Sequence, residues 1–180
     1  MPYWSWHVVL PHRRQLSGSP VRKALGRPGD NAHPAPQGTL SAQAPHLVQQ
    51  LAGEFCLAVN DPELQHCRSE VEILLDSKDL SWLFKPASGM QAYNEAPIQY
   101  LHEQQTVYGI IDRLLVNDTI IHLVDYKTHR IGDARQIQQL TSHYKPQLDL
   151  YREGVQKLWP NRTVKTYLLL TDGGILVELD

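Results

Sequence analysis

The spacing of apolar residues changes character repeatedly along the chain. Up to about residue 43 no period holds. Pro2, Pro11, Pro20, Pro28, Pro34 and Pro36 are interleaved with Gly18, Gly26, Gly29 and Gly38, a composition that interrupts regular structure. Residues 1–43 are therefore expected to form an irregular or flexible leader, in which Trp4, Trp6 and Val8 to Leu10 are an apolar patch able to dock on the body. From Pro45 the period becomes helical, with Leu47, Leu51 and Phe55 on one face. A second helix is expected from Asp61, a good N-cap followed by Pro62, and it carries Leu64, Cys67, Val71 and Leu74. Leu80 to Phe84 is apolar and too short to assign.

The period then falls to two. Ala92 to His102 reads as a strand in which Tyr93, Glu95, Pro97 and Gln99 alternate against Ala96, Ile98 and Tyr100, and Pro97 argues for an edge or a bulge. Thr106 to Val116 and Ile120 to Thr128 read as two more strands, joined by Asn117-Asp118 as a two-residue hairpin loop. Helical spacing returns after Asp133. Ile137 and Leu140 mark one short helix, and Pro146 opens another with Leu148, Tyr151, Val155 and Leu158 as its stripe. Val164 to Thr171, a turn at Asp172-Gly173-Gly174, and Ile175 to Leu179 complete the pattern. Helices, three strands, helix and two strands give an α/β layer architecture with a mixed sheet.

Composition narrows this picture only a little. A length of 180 residues suits one domain with a tail, and 42% hydrophobic residues allow a real core. A formal net charge of −2 means that a polyanion must be held by a local basic cluster. Cys56 and Cys67 are too few for a disulfide framework or a structural zinc site and read as packing residues. No stretch approaches the roughly 20 apolar residues of a membrane span. No signal peptide is evident, so a reducing, cytoplasmic location is expected.

The chemistry concentrates in Gly109 to Arg130. Asp112, Asp125 and Lys127 stand among apolar β-formers, where charge is costly unless compensated. With Asn117-Asp118 as the loop, Val116 pairs with Thr119 and Asp112 with Leu123. Asp125 and Lys127 then share the face of Asp112, with Asp125 its diagonal neighbour at about 7–8 Å. Two carboxylates so placed can share a hard cation such as Mg²⁺ or Mn²⁺. That cation activates water and stabilises charge on a phosphoryl oxygen, and an adjacent Lys orients the water or neutralises that charge. By spacing alone the same residues also fit a surface hairpin with two Asp and a Lys on a solvated face.

At these residues the chain resembles the RecB-type branch of the PD-(D/E)XK nuclease superfamily, as found at the C-terminal end of RecB and AddA helicase-nucleases. Gly109-Ile-Ile-Asp112-Arg matches the motif of the first metal-binding Asp. Val124-Asp125-Tyr126-Lys127-Thr128 matches the motif of the second acidic ligand and the catalytic Lys. Tyr144-Lys-Pro-Gln147-Leu-Asp-Leu-Tyr151 matches the Gln-x-x-x-Tyr helix motif. The likeness runs over about residues 80 to 180.

The resemblance implies a restriction-endonuclease-like αβββαβ core over residues 44–180, with a mixed central sheet flanked by helices. It also implies DNA cleavage dependent on Mg²⁺ or Mn²⁺, with Asp112, Asp125 and the Tyr126 backbone carbonyl as ligands. Gln147 and Tyr151 lie i, i+4 on one helix face and support the site; Glu95 assists from the neighbouring strand, and Thr128 stands beside the catalytic Lys. The family's further ligand is a His after Gly-x-x-x. Here His46 is the best candidate, but position 42 is Ala, and His33 lies in the irregular leader.

Arg113, Lys127, His129, Arg130, Arg135 and Lys145 cluster in sequence around the site and are expected to contact phosphates without sequence readout; apart from the motifs they read as an ordinary charged rim. No Walker-type Gly-rich loop occurs, so this chain has no ATP site of that kind. The expected partners are DNA, as ends or single strands, and a helicase subunit, in recombination or repair. A catalytically impaired DNA-binding or helicase-docking module descended from such nucleases is the alternative.

Overall fold

The computed structural model describes Gln49, Ala52, Gly53 and residues 58–179. The leader over 1–43, His33, His46 and Cys56 lie outside the described residues. So does most of the helix expected from His46 to Phe55, of which Gln49, Ala52 and Gly53 are helical. The elements are α1 (Pro62–Asp76), α2 (Ser81–Phe84), β1 (Gln91–His102), β2 (Gln105–Val116), β3 (Ile120–Lys127), α3 (Ala134–Leu158), β4 (Thr163–Leu170) and β5 (Ile175–Leu179). This contains the expected αβββαβ order, with β5 added as an edge strand. No helix among the described residues is long and apolar enough to cross a membrane.

Local signals account for the element ends. The Asp61 carboxylate accepts from the Glu63 amide at 2.9 Å, with Pro62 in the first turn of α1, so one otherwise orphaned N–H is satisfied and the missing proline N–H costs nothing. The ambiguous Leu80 to Phe84 segment forms a single helical turn that buries Leu83.

The sheet order is β1-β2-β3-β4-β5. All neighbours are antiparallel except β3 and β4, which are parallel and joined through α3. Both faces of the central strands are covered. On one side α3 packs Tyr144, Leu148, Tyr151 and Val155 against Leu114, Leu123, Leu168 and Leu170. On the other side α1 and α2 pack Val71, Leu74 and Leu83 against Leu115, Val124, Tyr126 and Leu169.

The β2–β3 hairpin turns one residue later than its sequence suggests. The Asn117 side-chain oxygen accepts from the Thr119 and Ile120 amides at 2.9 and 2.8 Å, and the Asn117 amide donates to the Ile120 carbonyl at 3.1 Å. Asparagine thus closes the turn from its side chain, and the loop residues are Asp118 and Thr119. Val116 pairs with Ile121 and Arg113 with Val124. The register differs from the expected one by two residues, an even step, so each side chain keeps its face.

A second difference concerns the faces of β1 and β2. Ala96, Ile98 and Tyr100 pack toward α3, but so does Tyr93, whereas Ala92 packs toward α1 and α2. The alternation therefore slips by one near Glu95, which has a positive φ of 49°. In β2, Ile111 and Leu114 both pack toward α3, so the slip recurs beside Asp112. The β1–β2 ladder passes from Asn94↔Arg113 to Ala96↔Ile111, omitting Glu95 and Asp112. Matched slips in both strands keep the register and re-aim the side chains at that level. An uninterrupted alternation, as read from the sequence, cannot show this.

The third difference is α3. Two helices divided at Pro146 are expected from the sequence, but one 25-residue helix with Pro146 inside it is observed. Ile137, Leu140, Tyr144, Leu148, Tyr151 and Val155 form one unbroken stripe against the sheet, and Pro146 is on the exposed side. A helix-interior proline costs about 3 kcal/mol. Burying each large apolar side chain returns roughly 1.5–3 kcal/mol, so the stripe wins. Leu158, counted in that stripe from the sequence, is instead 65% exposed at the end of the helix.

Replacing Pro146 with Ala should therefore raise stability, by about 1–3 kcal/mol in urea unfolding. Unchanged or lower stability would mean that the helix depends on a proline bend.

Candidate metal-binding and catalytic site

Asp112 and Asp125 are among the most buried charged residues in the sheet, 3% and 2% exposed. By alternation with Leu123, which packs toward α3, Asp125 faces α3; Asp112, at the slip in β2, turns its carboxylate to the Tyr126 amide of β3. The β2–β3 ladder ends at Arg113↔Val124. One further step of that register sets Asp112 across from Asp125 rather than on its diagonal. Where the next main-chain bonds would form, the Asp112 Oδ2 accepts from the Tyr126 amide at 2.7 Å. A side chain thus takes over the ladder there, and the two strands part at the two acids.

Lys127 is two residues beyond Asp125 and again faces α3. Its Nζ lies 2.7 Å from Asp125 Oδ2. The angle is not that of an aligned hydrogen bond, so this is a charge contact. The ammonium also sits 4.3 Å from the centroid of the Tyr144 ring. The Tyr144 hydroxyl is 2.8 Å from His129 Nε2. Burial pushes the Tyr144 phenol up, and the Asp125 carboxylate adds to this. Burial lowers the His129 imidazole, and Lys127 and His143 lower it further. Near neutral pH the pair is accordingly an uncharged phenol and an uncharged imidazole.

Gln147 Nε2 donates to the Tyr151 hydroxyl at 2.9 Å. Burial raises the Tyr151 phenol; the Gln147 hydrogen bond opposes this, while Asp125 and Asp112 add to it. Tyr151 is 7% exposed and lies across the backbone of Gly109. A Cβ at position 109 would stand 2.3 Å from Tyr151 Cε1, so glycine is required there for close approach rather than for its φ.

The remaining expected residues are dispersed. Glu95 is half-buried at the slip in β1, level with Asp112 in the register. Thr128 and Arg130 are exposed on the loop after β3. Arg135 is exposed at the start of α3, and Lys145 pairs with Asp149 at 3.4 Å. Arg113, expected as a phosphate contact, is corrected by the structure. It is 7% exposed and donates twice to the Leu83 carbonyl, at 3.2 and 2.8 Å, and to the Asn94 side chain. Its guanidinium caps α2 and ties it to β1, with no face left for DNA.

Sequence reasoning passed over Tyr144 as a functional residue, although it begins the quoted helix motif three residues before Gln147. It also passed over a cluster in which His66, Glu70 and Asp172 bring ligand atoms within 4.8 Å of one another. His66 Nε2 is 3.2 Å from Glu70 Oε1, and Asp172 Oδ2 accepts from the Ile131 amide at 2.7 Å. The i, i+4 spacing of His66 and Glu70 was visible; the approach of the Asp172 turn was not. The cluster ties α1 to the turn after β4 and to the loop after β3.

The donor set of Asp112 and Asp125 fits a hard divalent cation. Two carboxylates withdrawn from water are costly to keep charged, and a divalent cation placed between them offsets that cost for both. Oxygen donors of this kind suit Mg²⁺ or Mn²⁺.

A mixed sheet with helices on both faces, opened between two strands at a pair of acids followed by a lysine, defines a class of nuclease. The family profile described as the PD-(D/E)XK nuclease superfamily matches residues 23–177, and the chain belongs to that superfamily. It is similar to an ATP-dependent helicase/nuclease polypeptide of Streptococcus equi subsp. zooepidemicus, 32% identical over 78% of this chain and 12% of the relative. It is also similar to the proteins of the same name from Anoxybacillus flavithermus, 36% identical over 48% of this chain and 8% of the relative, and from Enterococcus faecalis, 25% identical over 73% and 10%. The chain thus spans about a tenth of the length of these relatives.

Replacing Arg113 with Met should cost about 2–4 kcal/mol in urea unfolding, because the Leu83 carbonyl is left buried without its donors, while DNA affinity stays unchanged. Weaker DNA binding at unchanged stability would return Arg113 to the phosphate-binding set.

Proposed function

We propose that this chain is the nuclease module of a helicase–nuclease system and hydrolyses DNA phosphodiester bonds using Mg²⁺ or Mn²⁺ held by Asp112 and Asp125. The observation that carries this reading is the pair of acids, almost wholly buried, on neighbouring strands where the ladder opens. The Tyr126 backbone carbonyl is the third protein ligand. His46, outside the described residues, is the candidate for a fourth. When bound, the cation lowers the pKa of a water and stabilises charge on the phosphoryl oxygen.

The chain's own groups complete the chemistry. Asp112 is fixed by the Tyr126 amide, so its carboxylate is oriented before anything binds. Lys127 neutralises Asp125 in the resting protein. With Asp125 serving as a metal ligand, the Lys127 ammonium would be available to the attacking water or the scissile phosphate. Gln147 and Tyr151 line the α3 side of the cleft and keep the carboxylates in place, and Glu95 supports from β1.

A shallow groove lined by Arg135, Gln138, Gln139, Ser142 and His143 runs along the outer side of α3. It offers donors and no carboxylate, and Thr128 and Arg130 are exposed nearby in sequence. These suit a strand held by its phosphates. DNA ends or single strands in recombination or repair are the proposed substrates, with a helicase as partner and the cytoplasm as the location. The short span of the chain against its helicase/nuclease relatives favours one further reading: a docking module that cuts only when its motor is present.

Cleavage of linear single- and double-stranded DNA by the purified chain should require Mg²⁺ or Mn²⁺. Asp112→Asn, Asp125→Ala and Lys127→Ala should each lower it on the order of 10²–10³-fold. Equal cleavage by wild type and Asp125→Ala, with or without metal, would reject the reading. Activity arising only when a helicase is added would select the docking form.

A further inference from the structure

We propose that Tyr144 is a positioning residue for Lys127: its ring holds the ammonium at the carboxylate pair. The inference rests on the reading of Lys127 as the working amine. Lys127 Nζ has two restraints, Asp125 Oδ2 at 2.7 Å and the Tyr144 ring centroid at 4.3 Å. The ring itself is clamped. Tyr144 is 9% exposed, its hydroxyl meets His129 Nε2 at 2.8 Å, and the His143 ring packs edge-on against it at 4.8 Å between centroids.

An aromatic face is suited to this task for a chemical reason. It attracts an ammonium through its quadrupole and consumes none of the three N–H donors. A carboxylate or carbonyl in the same place would fix the amine but occupy donors that the phosphate or water needs. It would also add negative charge or compete for the cation. The Tyr144–His129 pair adds no charge to the cleft, since the surroundings favour neutral phenol and neutral imidazole. The two share a hydrogen bond whose direction follows the tautomer of the imidazole. Were Asp125 to serve a cation, the ring would still restrain the ammonium.

Two measurements on the full chain test this. The first is metal-dependent DNA cleavage by wild type, Tyr144→Phe and Tyr144→Leu. The Leu variant should lose roughly 10-fold in kcat, the scale of a desolvated cation–π contact, with KM unchanged. The Phe variant, which keeps the ring, should stay within about 3-fold of wild type, because the contact is made by the aromatic face and not by the hydroxyl. The second is the NMR shift of the Lys127 ε-methylene protons in isotopically labelled protein. Ring current should move them upfield in wild type and Phe, and the shift should vanish in Leu.

Wild-type ε-methylene protons at the position of a solvated lysine would overturn the proposal without any variant having to fold. Full activity in the Leu variant, or an equal loss in Phe and Leu, would also overturn it. If the wild type cuts no DNA with metal, alone or with a helicase, the nuclease reading fails, while the NMR shift still decides the placement of Lys127.

Discussion

Two carboxylates and an ammonium meet inside a β-sheet, and holding buried charge there is the constraint that organises what surrounds it. Asp112 and Asp125 are 3% and 2% exposed, and a buried charge of this kind is tolerated only against a specific partner. Asp112 takes a backbone amide and Asp125 takes the ammonium of Lys127. Even when partnered, buried charge lowers the stability of the fold. The core has to be stable enough elsewhere to carry it, which the two apolar layers on either side of the sheet provide.

The local backbone follows from that requirement. The sheet is regular where its side chains are apolar and irregular where they are acidic. The β1–β2 ladder skips Glu95 and Asp112, and the β2–β3 ladder ends one step before Asp112 and Asp125. Where the ladder stops, the Asp112 side chain takes the Tyr126 amide in place of a main-chain partner. Helix α3 brings Tyr144 to Lys127 and Tyr151 against Gly109, whose missing Cβ permits that approach. Burial that stabilises the fold and burial that sharpens the electrostatics of the site come from the same stripe of residues.

Much of this was legible in the sequence because the signals were local. The Asp61–Pro62 start, the five strands and the final hairpin were set by capping, period and turn residues within a few positions of each other. The shared face of Asp125 and Lys127 was also readable, since an even error in register leaves parity intact, whereas Asp112 stands at a slip that parity does not describe. What was not legible depends on contacts distant in sequence. Asn117 chose the turn through its side chain. The slips at Glu95 and Asp112 have no signature in an alternating pattern. Pro146 looked like a boundary because the cost of a proline is local, whereas the burial that outweighs it is spread along a long helix. Arg113 looked like a DNA contact because its partner, the Leu83 carbonyl, lies thirty residues away. The His66, Glu70 and Asp172 cluster was hidden for the same reason.

The central claim is that the acids on β2 and β3 hold one divalent ion between them. Anomalous diffraction from crystals of the protein soaked in Mn²⁺ locates such an ion directly. The account predicts a peak within coordination distance, about 2.1 Å, of carboxylate oxygens from both Asp112 and Asp125. A peak confined to His66, Glu70 and Asp172, or bound to only one of the two acids, would contradict it.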